Sequence, residues 1–178
     1  MRPGVLIRRP RASDETQYLA AVRRSRKLHR PWVSPVASPR AFRAKLGSRP
    51  SHASFFIFLR ESKALTGVVD VTEIVRGCFQ SAYLGYFAFE PHANRGFMRE
   101  GLAQVIGHAF GEMGLHRLEA NIQPGNEASL ALVKALGFRR EGFSPRYLKV
   151  NRRWKDHERW AILSEDWRKS AVVHSRGE

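Results

Sequence analysis

The sequence predicts an α+β fold: a mixed, mostly antiparallel sheet with helices on both faces. Three features carry that expectation. Between residues 53 and 89, three β-rich runs follow one another through short polar turns. Residues 102 to 113 then place Leu102, Val105, Ile106, Ala109, Phe110 and Met113 on one face at helical spacing. After them come a short strand, an Asn-capped helix and two long runs that close as a hairpin.

In chain order, Val5 to Arg9 reads as a short strand ended by Pro10. Ser13 and Asp14 cap a helix whose first turn is acidic, where the helix dipole favours negative charge. Tyr18, Leu19, Val22 and Leu28 form its apolar stripe. Ser38 and Pro39 start a second helix, with Pro at the first helical position and Phe42 and Leu46 turned inward. Between the two lies a loop, residues 29–35, in which Trp32 stands between Pro31 and Pro35. Such a loop is rigid, and Trp32 either walls a ligand site or plugs the gap between the helices. Residues 53–59 and 65–75 are strands split by a polar turn around Glu61 to Lys63, and 81–89 is a further strand. The long helix ends near Gly111 and Gly114. Leu118 to Ile122 reads as a buried strand, and Gln123, Pro124 and Gly125 turn the chain into the Asn126 cap. Residues 139–150 and 154–163 pair around Asn151 and Arg152. No repeat or linker interrupts the pattern. Residues 1–167 are expected to form a single domain and 168–178 a flexible tail.

Composition narrows the function classes. A chain of 178 residues can bury one substantial core. Its single cysteine, Cys78, excludes a disulfide framework and fits a reducing compartment. No apolar run approaches the roughly 20 residues that span a bilayer, and the first residues lack a signal-peptide core. A cytoplasmic location follows as an expectation. The seven histidines are scattered without ligand spacing, so no metal is expected. The formal charge of +15 favours encounter with acidic partners, yet no nucleic-acid module or aromatic platform accompanies it. It is either a plain solvated surface or a means of visiting ribosomes and ribosomal proteins. No specific DNA binding is expected.

The motif that carries chemistry is the loop at residues 92–99, which joins a strand to the long helix. Gly96 permits a backbone shape and a close approach that a Cβ would hinder, and Arg95 and Arg99 add charge. Amides at a helix N-terminus, aided by its dipole, cradle phosphate. Asn126, Ser129, Gly137 and Phe138 follow about thirty residues later. In that order these elements resemble the GNAT N-acetyltransferase superfamily. Val75 to Phe79, Tyr83 to Tyr86, Gly96 to Met98, Ala120 and Asn121, Pro124 to Asn126, and Trp154 to His157 look like the bacterial ribosomal-protein alanine/serine N-terminal acetyltransferases.

The resemblance implies acetyl-CoA as cosubstrate and direct attack of an amine on its thioester. It implies that amides of Phe87, Ala88 and Phe89 pair with the pantetheine arm, because the strand before the loop splays from its neighbour. The pyrophosphate would take Arg95, Gly96, Phe97, Met98 and Arg99, with Asn126 also near the cofactor. Two positions depart from the usual superfamily loop, Ala93 for a Gln or Arg and Met98 for a Gly or Ala. Ser129 is implied as the acid that protonates the departing thiolate, in place of the tyrosine many relatives use where Val133 stands here; its alternative is a second cap. The segment around Trp32, with Arg76 and Tyr147, is implied for the acceptor. The base is less determined. Arg146 stands where some relatives have an acid, and Glu119, alone in an apolar strand, is the first candidate ahead of Glu90, Asp70 and Glu73, unless an arginine pairs with it. An α-amine with a pKa near 8 needs less help than lysine near 10.4. The expected acceptor is therefore a protein N-terminus, first that of a ribosomal protein. The alternatives are a small amine or another protein acceptor, or a non-catalytic CoA-binding or ribosome-associated module.

Overall fold

A computed structural model describes residues 4–47 and 49–168. Its strands are β1 (Val5–Arg8), β2 (Ala53–Leu59), β3 (Leu65–Val75), β4 (Ser81–Ala88), β5 (Arg117–Ile122), β6 (Arg139–Val150) and β7 (Arg153–Leu163). Its helices are α1 (Glu15–Arg24), α2 (Arg26–His29), α3 (Pro39–Lys45), α4 (Phe97–Gly111) and α5 (Glu127–Ala135). The seven strands make one sheet in the order β1-β2-β3-β4-β5-β7-β6. Every neighbouring pair is antiparallel except β4 with β5. That pair is parallel because the chain leaves β4, crosses the sheet through α4 and re-enters in the same direction.

Both faces are covered, as the alternation along β2 shows. Phe55 and Ile57 join a core with Leu102, Val105, Ile106 and Ala109 of α4 and Leu130 and Val133 of α5. Phe56 and Phe58 join the opposite core with Tyr18, Leu19 and Val22 of α1 and Phe42 of α3. Helix α4 lies very close to the sheet. A Cβ on Gly101 would come within 2.4 Å of Ile57, and one on Gly67 within 2.8 Å of the Met98 sulfur. Glycine is required at both places by contact rather than by torsion.

Two N-terminal expectations change in detail. The first helix does not run unbroken to Leu28; it ends at Arg24 and restarts at Arg26. Buried Ser25 stands at the break, and its hydroxyl accepts the Glu90 amide at 2.9 Å. Leu28 is thereby turned towards the cleft described below. Asp14 does not cap α1 with its side chain. It ends a 3-10 turn, Ala12–Asp14, and its carboxylate reaches back to the Arg11 amide at 2.7 Å and to the Arg8 guanidinium. Ser38 caps α3 as expected, accepting the Ala41 amide. Asn151 and Arg152, both at positive φ, close the β6–β7 hairpin. Residues 164–168 form a helical turn, and the rest of the expected tail lies outside the described residues. Among the described residues, no helix is long and apolar enough to cross a membrane.

Candidate active site

The sheet has a seam at its centre. β4 and β5 pair only at Ser81/Arg117, Ala82/Leu118 and Tyr83/Glu119. Beyond these the strands part, while β4 stays paired with β3 as far as Ala88. A cleft of about 530 Å³ opens between them, with Tyr86, Ala88, Asn121, Ser129, Trp32 and His157 among its walls.

The ladder phase decides which backbone groups face this opening. Thr66 accepts the Phe89 amide at 2.8 Å. Alternation along an antiparallel pair then directs the Phe87 amide to β3 as well, and those of Tyr86 and Ala88 to the open side. The expected trio of Phe87, Ala88 and Phe89 is corrected accordingly. Phe89 is fully buried among aromatic rings and its amide is taken, so Tyr86 and Ala88 are the available donors. The Ala88 carbonyl, on the same open edge, accepts from His29 Nε2 at 2.7 Å.

At the end of the cleft the chain turns through Asn94 (φ 59°) and Gly96 (φ 82°) into α4. The first bond back to Gly96 comes from the Glu100 amide, so the amides of Phe97, Met98 and Arg99 precede any intrahelical partner. A Cβ on Gly96 would meet nothing within 4 Å. Glycine is needed there for the left-handed torsion, and the space above it is open to a ligand. Asn94, Gly96, Met98 and Arg99 line the cleft. The Arg95 side chain lies over the Phe97 ring at 5.4 Å and leaves its amide in the loop. A concave run of donors flanked by two arginines suits a pyrophosphate, and the departures at Ala93 and Met98 leave these amides unaffected.

Asn126 caps α5, its Oδ1 accepting the Ser129 amide at 3.2 Å. The Ser129 hydroxyl is not used as a second cap. It pairs with the Tyr86 hydroxyl at 2.7 Å inside the cleft. Burial pushes the Tyr86 phenol up to about 12, against the Ser129 hydrogen bond. In the sequence Tyr86 belongs to a motif but carries no expected role. Its partner is 43 residues away, and only the register of β4 against α5 brings them together.

Glu119 is elsewhere. Its carboxylate is paired with Arg117 Nε at 2.9 Å, and Arg117 in turn holds Glu141. It does not line the cleft. The expectation of a carboxylate isolated by burial is corrected in favour of its alternative, an arginine partner: Arg117 and Glu119 are two apart on a strand and share a face. Arg76 is also separate, its guanidinium donating to the Met113 carbonyl at the far end of α4. Tyr147 is not a cleft wall but stands behind one, its ring 6.3 Å from that of His157 and its hydroxyl hydrogen-bonded to Tyr83. Trp32 does line the cleft. Its carbonyl accepts from Gln123 Nε2, and its ring covers Gly125, where a Cβ would lie 3.4 Å away. Of the other base candidates, Asp70 is held by Lys45 and Ser54, and Asp70, Glu73 and Glu90 are all absent from the cleft walls.

A parted parallel strand pair with a glycine-turned helix start at its mouth defines a class of acyl-CoA-dependent transferases. The acetyltransferase (GNAT) domain family matches residues 5–139, and the chain belongs to that family. Ribosomal protein uS5-alanine N-acetyltransferase of Escherichia coli is 32% identical over 154 residues, 80% of this chain and 79% of that protein. The Bacillus subtilis protein named Probable N-acetyltransferase YjcK is 38% identical over 112 residues, 63% of this chain and 62% of its own length. Among solved structures, Mycobacterium smegmatis RimJ in complex with CoA-disulfide has the same fold. It matches with a TM-score of 0.84 at 26% identity over 98% of this chain and 91% of that one. This chain is thus an N-acetyltransferase of GNAT type, with acetyl-CoA as its acetyl donor.

Proposed function

We propose that the protein acetylates the N-terminal α-amine of a protein, in the first place a ribosomal protein, within one acetyltransferase domain and in the cytoplasm. The observation that carries this is the 32% identity with the uS5-alanine N-acetyltransferase across four-fifths of both chains. In this reading the pyrophosphate of acetyl-CoA rests on the amides of residues 95–99. The pantetheine arm runs along the open edge of β4, taking the amides of Tyr86 and Ala88. The thioester lies near Tyr86 and Ser129, whose paired hydroxyls supply the proton that the departing sulfur needs. Trp32 walls the acceptor. The basic surface draws in acidic partners, the ribosome among them, through a field screened within about 10 Å at 0.1 M salt.

The test is mass spectrometry of peptide pairs bearing N-terminal Ala or Ser and internal lysines, one free and one blocked at the N-terminus. Acetylation confined to the free N-terminus is the expected result. Equal acetylation of both peptides assigns lysine as acceptor and rejects the proposal. Turnover of a polyamine with none of the peptides assigns a small amine.

A further inference from the structure

The seam passes through the sheet, and its two faces carry different chemistry. Tyr86 packs with Ala82 and Leu84 on the face covered by α4 and α5, where Ser129 also stands. On β7, Trp160 and Ile162 belong to that same face, so Arg159 and His157 point to the other. Asn121 pairs with Arg159 across β5 and β7 and shares their face. It is thus a diagonal neighbour of His157, about 7–8 Å away between Cα atoms.

Both residues line the cleft, and each carries an atom able to accept a hydrogen bond. The Asn121 Oδ1 is buried without a hydrogen-bond partner among the described residues, and Asn121 is a cleft wall. A buried, unpaired carbonyl oxygen is costly and calls for a donor. His157 is 3% exposed and also lines the cleft. Its Nδ1 lies 2.9 Å from the Lys155 carbonyl. A carbonyl can only accept, so Nδ1 carries the proton, and in the neutral ring Nε2 bears the lone pair. Burial, opposed by the Lys155 carbonyl and Asp156, keeps the ring below the usual histidine range, so it is neutral at physiological pH. The titratable and charged groups around it are Asp156 and Arg159 on its own strand, Tyr147 on β6 and, lining the same cleft, His29 of α2 and Arg99 of α4. In the sequence Asn121 and His157 stand only within motifs of the family resemblance, with no role attached.

We propose that Asn121 and His157 receive the acceptor amine, Asn121 Oδ1 by accepting one N–H and His157 Nε2 by removing the proton that frees the nitrogen lone pair. The inference rests on the acetyltransferase reading above. An incoming ammonium gives one proton to Nε2, which passes it to solvent. The freed nitrogen forms a bond to the thioester carbonyl carbon, the C–S bond breaks, and the sulfur leaves with the electron pair. It is protonated from the Ser129 and Tyr86 hydroxyls, which recover the proton that the nitrogen loses as the amide forms. Acid and base thus stand on opposite faces of the sheet and do not neutralise each other.

The experiment compares wild type, His157→Gln and Asn121→Ala, using whichever amine the wild type turns over. A failure of the N-terminal reading therefore leaves the comparison intact. For His157→Gln, kcat should fall about 10²–10⁴-fold with CoA affinity by calorimetry unchanged. Its acid limb in kcat should also move from below the ordinary histidine range up towards the amine's own pKa, about 8 for an α-amine and higher for a lysine-type amine, since only amine already neutral then reacts. For Asn121→Ala, KM for the amine should rise up to about tenfold, the size of one hydrogen bond, with kcat changed less. A His157→Gln enzyme that binds CoA and keeps wild-type kcat and acid limb overturns the proposal. Should that variant fail to bind CoA, Asn121→Ala decides: a raised KM supports the pair and an unchanged one overturns it.

Discussion

Ser129 shows how one side chain is assigned by what it touches. A hydroxyl at the third position of a helix commonly caps it, but here Asn126 does that and Ser129 is left to Tyr86 at 2.7 Å. Ser129→Ala should therefore leave the α5 cap and CoA affinity nearly intact while lowering kcat. The fall should lie near the low end of the 10²–10⁴-fold range for acid–base groups, because a thiol of pKa about 8.5 is an easy leaving group and Tyr86 remains. Stopped assays of kcat with calorimetry of CoA check it, and full activity would return Ser129 to a structural part. The same scale shows why the candidate site was legible only in places. Gly96, Asn126, Ser129 and Trp32 announce themselves by residue type and position in the chain. His157 does not, since its value depends on a hydrogen bond from Nδ1 and on the register of β5 against β7. For Glu119 the alternative of an arginine partner holds, because the strand begins one residue earlier than the sequence suggests and Arg117 shares its face. The Phe89 amide was unreadable because nothing in the residues fixes the phase of a ladder.

At the scale of elements, strands and helices were legible almost to their ends, for their apolar periods are strong and their turns carry Pro, Gly and Asn. Junctions were less so. Ser25 divides what reads as one helix, for its hydroxyl is taken by an amide 65 residues away. The junction of β1 with α1 depends on Asp14, whose carboxylate makes paired 2.7 Å bonds to Arg8 and a third to the Arg11 amide. Burial alone would raise this carboxyl, but the Arg8 and Arg11 hydrogen bonds outweigh it and hold it below the ordinary range. A depressed carboxyl stabilises the folded state above its unfolded pKa of about 3.9. That contribution is lost as pH falls through the lower, folded value. Asp14→Asn should thus lose about 1–3 kcal/mol at neutral pH, measured by urea unfolding. Its deficit should shrink as both proteins are titrated below about pH 4.

At the scale of the whole molecule, the family resemblance was legible because its motifs recur in order along most of the chain. The seam was implied by that resemblance and by nothing in composition. It also has a mechanical side. Two half-sheets, β1 to β4 and β5 to β7, meet through only three residue pairs, and past Tyr83 no backbone bond ties them in the sheet. A protein built this way has its weakest tie at its centre, and under the proposed function the substrate's own amide-bearing arm would supply the rungs that the chain omits. Acetyl-CoA would then act as a clasp as well as a reactant. CoA at a hundred times its dissociation constant should raise unfolding stability by about 2.7 kcal/mol, and hydrogen exchange at Tyr86 and Ala88 should slow with it. A fragment carrying only the nucleotide and its phosphates should protect the loop before α4 yet leave those two amides open. The fold would be fully fastened only while its donor is seated, and would loosen each time free CoA departs.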